Sequence, residues 1–118
     1  MATIFNTVER VGGSDQPRFA VSVELIWDKE LSPVAKLDAE DRLIHGPYST
    51  YADFDGYWEI ENVHPNINIL PANSVYKVTE TFGDSSAQTT QVYYISVPDG
   101  ATPTYWVGDC LTGEPDYA

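Results

Sequence analysis

The chain has 118 residues, of which 42% are hydrophobic and 13% aromatic, and its 18 acidic and 6 basic residues give a net charge of −12. The length fits one domain, and the hydrophobic content is higher than a disordered chain carries. Nucleic acid and anionic membranes are not expected partners, because binding to either requires clusters of Lys and Arg.

Residues 1–17 combine an apolar segment containing Ile4, Phe5 and Val8 with the linker Gly-Gly-Ser-Asp-Gln-Pro at 12–17. Two interpretations of this segment are open. It is either the first strand of a sheet or an arm that docks on another subunit, because terminal segments are loose unless something holds them. No basic region followed by an apolar run occurs here, so we expect no secretory signal.

Residues 18–107 contain short segments in which apolar and polar side chains alternate, the pattern of β-strands with one buried face. Strands are predicted at 18–27, 35–38, 42–45, 48–53, 57–61, 74–82, 89–97 and 104–107. Gly and Pro residues separate these segments, and no apolar stripe of helical period is present. We therefore predict an all-β fold, a single antiparallel β-sandwich, with residues 108–118 as an acidic surface tail.

A D-x-D-G string at Asp53, Asp55 and Gly56 invites a calcium interpretation. An EF-hand loop needs a Glu at its twelfth position, which here is His64, and it needs flanking helices. We instead expect a tight turn between two strands. His45 and His64 lack zinc-finger spacing, so we expect no metal and no cofactor.

The sequence contains no nucleophile elbow, phosphate-binding loop or dinucleotide-binding motif. Its single cysteine, Cys110, has no basic partner tied to it by a motif, and we expect it to be a small buried hydrophobe. A glycosidase-type carboxylate pair is compatible with the composition, but most of the acids are expected to be solvated surface charges. We predict no catalytic residues and no enzymatic activity.

Adjacent aromatic residues occur at 57–58, 93–94 and 105–106. Neighbouring residues of a strand point to opposite faces, so at least one member of each pair should lie outside a single core. That is more exposed aromatic surface than a monomer usually carries, and it favours a binding or assembly surface. We predict that Tyr105 and Trp106 are anchors at a subunit boundary.

Several short motifs follow one another in a characteristic order. They are Y-A-D-F-D-G-Y-W-E-I at 51–60, V-H-P-N at 63–66, I-L-P-A at 69–72, V-Y-K-V-T-E at 75–80, Y-Y-I-S-V-P at 93–98 and W-V-G-D at 106–109, followed by Leu111. Their order and spacing resemble the small Ig-like (prealbumin-like) β-sandwich modules of tailed-bacteriophage virion proteins. The resemblance implies structural roles for Trp58, Pro65 and Asn66, and it implies no catalytic residue.

The resemblance further implies a virion structural protein, most directly a capsid decoration or minor capsid subunit that binds and stabilises the assembled shell. The expected partner is the major capsid protein, and a small homo-oligomer on the virion surface fits the same function after assembly in the host cytoplasm. The alternative is a tail- or fibre-associated module that binds a host-surface glycan or protein. Under the arm interpretation, Ile4, Phe5 and Val8 would add a strand to an exposed edge of the shell.

Overall fold

The computed structural model describes residues 1–10, 12–13, 18–38, 40–83, 88–100 and 103–118. These residues form strands and two short 3-10 helices, which confirms the predicted all-β class. In chain order the elements are β1 (Ala2–Thr7), β2 (Ala20–Ile26), β3 (Ala35–Leu37), β4 (Leu43–Ile44), β5 (Pro47–Tyr51), β6 (Tyr57–Val63), η1 (Asn66–Asn68), β7 (Ile69–Leu70), β8 (Val75–Phe82), β9 (Thr89–Ile95), β10 (Thr104–Trp106), η2 (Val107–Asp109) and β11 (Leu111–Thr112). None of the described segments is a helix long and apolar enough to cross a membrane.

The strands are arranged in three sheets with the orders β10-β1-β6, β11-β9-β8-β2-β5 and β4-β3-β7. The first two contain the longer strands and are called the two larger sheets, and the three-stranded sheet below means β10-β1-β6. Strand pairs are antiparallel with one exception, since β10 runs parallel to β1 and aligns Thr3 with Thr104. The chain leaves the five-stranded sheet after β9, and β10 then joins the sheet of β1 and β6 by pairing with β1. The predicted antiparallel pairing therefore holds for every described pair except β1 with β10.

Strand β2 shows how alternation builds the core. Val21, Val23 and Leu25 are buried together with Phe19, which precedes the strand, as the sequence pattern predicts. The same alternation on the neighbouring strand β8 places Glu80 on the inward face, a position that the pattern would assign to an apolar side chain.

One cluster of buried apolar side chains joins the two larger sheets. Ile4 and Trp58 come from the three-stranded sheet, and Val23 and Val78 come from the five-stranded sheet. Burial of each such side chain contributes about 1.5–3 kcal/mol. The shared core fixes the two sheets against each other and so fixes the side chains at their edges.

The N-terminal segment is a strand of this fold. Strand β1 lies between β6 and β10 in the three-stranded sheet, so the structure has the first of the two alternatives that the sequence left open. The sequence alone did not distinguish them, because the strand's partners lie far away along the chain. Residues 11 and 14–17 of the predicted linker lie outside the described residues.

The C-terminal segment is more structured than the predicted tail. Strand β11 pairs with the end of β9, and Cys110 before it is buried. The Tyr117 hydroxyl donates a hydrogen bond to the carbonyl of Ile26 at 3.3 Å. Strand pairing and the docked tyrosine hold parts of the predicted acidic surface tail against the sheet, and residues 111–114 are exposed.

Candidate functional site

The site is organised around a buried carboxylate on β8. Glu80 has an exposed fraction of 0%. Its Oε2 accepts hydrogen bonds from Trp58 Nε1 at 2.7 Å and from Asn6 Nδ2 at 3.0 Å, and its Oε1 accepts one from Gln91 Nε2 at 3.0 Å. All three donors are neutral N–H groups, so the carboxylate is satisfied by dipoles alone in these contacts.

Tyr93 lies beside this carboxylate on the inward face of β9. Burial raises the pKa of its hydroxyl above the ordinary value of 10.0, and the negative charge of Glu80 raises it further. Asn6 Nδ2 is 3.5 Å from Tyr93 Oη, a contact that acts in the opposite direction. The tyrosine is therefore held in its neutral form, with a polar tip on a mostly apolar wall.

Asn6 carries the buried network to the surface. Its Nδ2 donates to Glu80, and its Oδ1 accepts a hydrogen bond of 3.0 Å from Trp106 Nε1. The Trp106 ring also lies against Gly108, where an added Cβ would overlap it. The indole is held from two sides, although 48% of the residue is exposed.

A cavity of about 400 Å³ opens beside the indole, and we call it the Trp106 groove. Its described lining is apolar, aromatic or amide in character and consists of Asn6, Gln91, Val92, Tyr93, Trp106, Val107, Gly108 and Leu111. None of these residues is charged, although 20% of the chain is. Val92 and Leu111 are 46% and 59% exposed, so the groove presents uncharged apolar surface on an acidic protein.

This arrangement suits binding to an uncharged or apolar surface. Tryptophan is the residue type most enriched among the dominant contacts of protein interfaces. A side chain that is already fixed loses little conformational entropy when a partner covers it. The groove therefore has the composition and the rigidity of a preformed contact site.

Groups for metal or nucleophilic chemistry lie elsewhere. His45 and His64 line one cavity, yet within the described ranges no three His, Cys, Asp or Glu side chains are grouped closely enough to hold a metal ion. Cys110 is buried, and burial raises the pKa of its thiol, as does the charge of Asp109. A thiol in this environment is a poor nucleophile.

The residues predicted to form a docking arm lie within the fold. Ile4 is fully buried in the core. The Phe5 ring lies 6.1 Å from that of Tyr57, and the Val8 amide donates to the carbonyl of Gly56 at 3.0 Å. Ile4, Phe5 and Val8 therefore hold β1 in place within this fold.

Tyr105 and Trp106, predicted together as anchors, are separated by the alternation of β10. Tyr105 is half-buried and packs against the core, whereas Trp106 faces the groove. One member of the pair thus points outward, as the adjacent-aromatic argument requires. Only Trp106 retains the geometry of a surface anchor.

The turn residues adopt the arrangement that the sequence indicated. Asp53 Oδ1 accepts hydrogen bonds from the backbone amides of Asp55 at 2.8 Å and Tyr57 at 3.1 Å. Gly56 follows with a φ of 78°, which glycine adopts without strain. This carboxylate is used to close the turn into β6.

Trp58, Pro65 and Asn66 have structural positions. Trp58 and Pro65 are buried, and Asn66 is buried between β9 and the loop before β8. Asn66 Oδ1 accepts a 2.7 Å hydrogen bond from the Val97 amide, and its Nδ2 donates to Ser74 Oγ at 3.1 Å. The asparagine joins three segments that are distant in sequence.

Sequence reasoning missed three residues of the network, namely Asn6, Glu80 and Gln91. One signal was available. A glutamate at the inward position of an alternating strand, in register with Tyr76 and Val78, indicates a buried charge that needs donors. The donors themselves could not be identified, because Asn6 is 74 residues away from Glu80 along the chain.

Comparison with known proteins finds no family model that matches the chain and no curated protein that matches it.

Proposed function

We propose that the chain is a non-enzymatic structural subunit of a tailed-bacteriophage virion. In this proposal it decorates the capsid, binds the major capsid protein and stabilises the assembled shell, with the Trp106 groove as an assembly contact. We also propose that the two larger sheets form a single Ig-like, prealbumin-like sandwich, which their shared core supports. The phage assignment rests on the motif resemblance between residues 51 and 111.

The observation that carries an assembly role is the Trp106 groove. A half-exposed indole held by Asn6 and Gly108, beside exposed Val92 and Leu111, is costly surface for an isolated soluble protein. The buried donors around Glu80 support this surface from below. The cost of exposing this apolar surface to water is removed when another molecule covers the groove.

The charge distribution supports the same role. A net charge of −12 keeps free subunits apart in solution. The described lining of the groove contains no charged side chain, so contact at the groove does not bring acidic surface side chains directly together. A decoration subunit needs both properties, since it must stay soluble before it adds to the shell.

Co-sedimentation with capsids stripped of accessory proteins tests the proposal. We expect saturable binding at a fixed copy number per capsomer, together with higher thermal resistance of the shell. Trp106→Ala should weaken binding at least about tenfold. The control Tyr51→Ala removes an exposed aromatic residue from β5 and should bind like the wild type. Absence of binding by the wild type would contradict the capsid placement.

One observation favours the tail-associated alternative. The groove combines Trp106 and Tyr93 with the amides of Asn6 and Gln91, and its volume of about 400 Å³ is that of a small-ligand site. Aromatic and amide groups together suit a neutral saccharide. Binding to host-cell glycans that Trp106→Ala abolishes, without binding to capsids, would establish this alternative.

A further inference from the structure

The strand edge next to the Trp106 groove is only partly covered. Strand β9 pairs with β8 along its whole length, but β11 covers the other edge only at Tyr94 and Ile95. In the part of the chain that the structure describes, no strand pairs with this edge at residues 89–93. Residues 89–92 are exposed.

Two residues direct their backbone groups toward this open edge. The Ser96 amide donates to the Cys110 carbonyl at 2.9 Å, which shows that Ser96 faces the β11 side. Backbone direction alternates along an antiparallel strand, so Tyr94, Val92 and Thr90 face the same side. Tyr94 is covered by β11, whereas Thr90 and Val92 lie beyond its end.

The open edge lacks the features that usually prevent strand association. Natural edge strands carry charges, prolines or bulges, or they are very short. Residues 89–93 read Thr-Thr-Gln-Val-Tyr, with no charge, proline or glycine. The backbone groups of this edge are therefore accessible for pairing with another strand.

The other long edges of the two larger sheets are protected. Strand β6 carries Glu59 and Glu61, and its Asn62 has a φ of 62°. Strand β5 begins with Pro47, and the Tyr48 hydroxyl ties it to the Asn62 carbonyl of β6 at 3.3 Å. Strands β10 and β11 are only three and two residues long.

We infer that a second copy of this chain covers the open edge, by antiparallel pairing of the two β9 strands about a two-fold axis at Gln91. In this register Thr90 pairs with Val92 of the partner subunit, and by the two-fold symmetry Val92 pairs with Thr90 of the partner subunit. Both outward-facing residues of each copy are then used, with about four backbone hydrogen bonds. The inference rests on the proposed assembly role of the Trp106 groove, and it places a second copy at the strand edge beside the groove.

Charge favours the open edge over the acidic parts of the surface as the place where two copies meet. Two chains of net charge −12 repel each other. The edge and the described groove lining add no charged side chain to the contact, so two copies that meet there do not place acidic surface side chains directly against each other. Trp106 and Leu111 flank the edge and supply the apolar surface that the incoming strand covers.

Sedimentation equilibrium of the purified full chain tests the inference, at increasing concentration and at low and high salt. We expect a monomer–dimer equilibrium that salt strengthens, because salt screens the repulsion between the acidic surfaces. Val92→Lys and Thr90→Pro should each weaken the dimer about 10-fold to 100-fold. The control Ser49→Lys places the same charge on β5 and should dimerise like the wild type, and circular dichroism checks that each variant folds.

Amide hydrogen exchange of the wild-type chain gives a second readout that needs no variant. On dimer formation the amides of Thr90 and Val92 should become protected. Those of Gln91 and Tyr93 already face β8 and should change little. Protection that does not alternate along β9 would overturn the inferred pairing.

The outcomes separate this inference from the proposed function. A chain that stays monomeric at every concentration, or a dimer that Val92→Lys and Thr90→Pro leave intact, overturns the inference. A monomer that binds capsids through Trp106 leaves the proposed function standing alone. A dimer with alternating protection that ignores capsids supports the inference and contradicts the capsid placement.

Discussion

The two sides of the molecule end their sheets in different ways. On the closed side, formed by β5 and β6, Pro47 and the Tyr48 hydroxyl protect one edge, and Glu59 and Glu61 protect the other. On the open side, formed by β9, β10 and β11, strand β11 pairs with β9 only at Tyr94 and Ile95. Residues 89–93 of β9, which carry no charged side chain, are left unpaired on that edge beside Trp106 in the described part of the chain. Among the described residues, one pair of edges thus carries protecting features, and the other pair is only partly covered by short strands.

The interiors behind the two sides differ as well. Behind the closed side, the Tyr48 and Tyr76 rings meet edge-to-face at 6.2 Å, and the Tyr76 hydroxyl donates to the His64 carbonyl at 2.7 Å. Behind the open side, the Glu80 carboxylate collects N–H donors from three strands. A buried carboxylate with its N–H donors thus lies behind the open side, and aromatic packing lies behind the closed side.

Removing the charged network should have the largest effect. Glu80→Ala leaves Trp58 Nε1 and Asn6 Nδ2 without their acceptor and creates a cavity, so we expect a loss of about 3 kcal/mol in the free energy of unfolding. On the other side, Tyr76→Phe removes one hydroxyl and should cost about 1 kcal/mol. Urea unfolding measures both, and equal losses would contradict the difference between the two interiors.

Removing Asn6, the residue that links the buried Glu80 to Trp106 at the surface, should have the next largest effect on the free energy of unfolding. Asn6→Ala removes the hydrogen bonds to Glu80 and Trp106 and should destabilise the fold by about 2 kcal/mol. The indole N–H of Trp106 should then exchange with solvent faster, while that of Trp58 keeps its bond to Glu80. Nuclear magnetic resonance resolves the two indole signals, and an unchanged Trp106 signal would show that Asn6 does not hold the ring.

Alkaline pH should weaken the open side through Tyr93. Burial, and then the charge of Glu80, raise the pKa of Tyr93 in the folded state. Below pH 10.0 the hydroxyl is neutral in both states, so the contribution of Tyr93 to the free energy of unfolding is fully present. Above pH 10.0 the tyrosine of the unfolded chain ionises first, so this contribution falls. The fall attributable to this group is at most about 1.4 kcal/mol per pH unit. Tyr93→Phe should remove that part of the slope in unfolding measurements from about pH 8 to about pH 11. An identical slope in wild type and variant would exclude the coupling.

The smallest expected effect on stability comes from Gly108. Gly108→Ala places a Cβ against the Trp106 ring, which must move, at a cost of less than about 1 kcal/mol. Gly113→Ala is the matched control, because nothing lies within 4 Å of the added atom. We expect the first variant to weaken capsid binding and the second to leave it unchanged. Equal binding by both variants would show that the ring position is unimportant.

Local patterns predicted the elements but not the site. Alternation along Phe19, Val21 and Val23 located β2, and the turn at Asp53 and Gly56 followed from residue chemistry. The adjacency of Tyr105 and Trp106 indicated that one aromatic side chain would face outward. Each of these inferences depends on residues that are close in sequence.

The rest depended on pairing between distant strands. Register brings Asn6 next to Glu80 and Trp106, and nothing in their own neighbourhoods along the chain specifies that register. The same reason left β1 open to two interpretations, because its place between β6 and β10 is a long-range property. Glu80 gave a signal of its own, since a charged residue interrupts the inward face of β8.

The pairing of β1 with β10 has a consequence for the timing of synthesis. Asn6 and Trp106 are 100 residues apart, so the ribosome makes the first long before the second. Until β10 emerges, β1 has a neighbour on one side only, and the indole that completes the groove does not yet exist. The Trp106 groove is therefore completed only after β10 has been made, and until then the edge of β1 that β10 covers is unpaired.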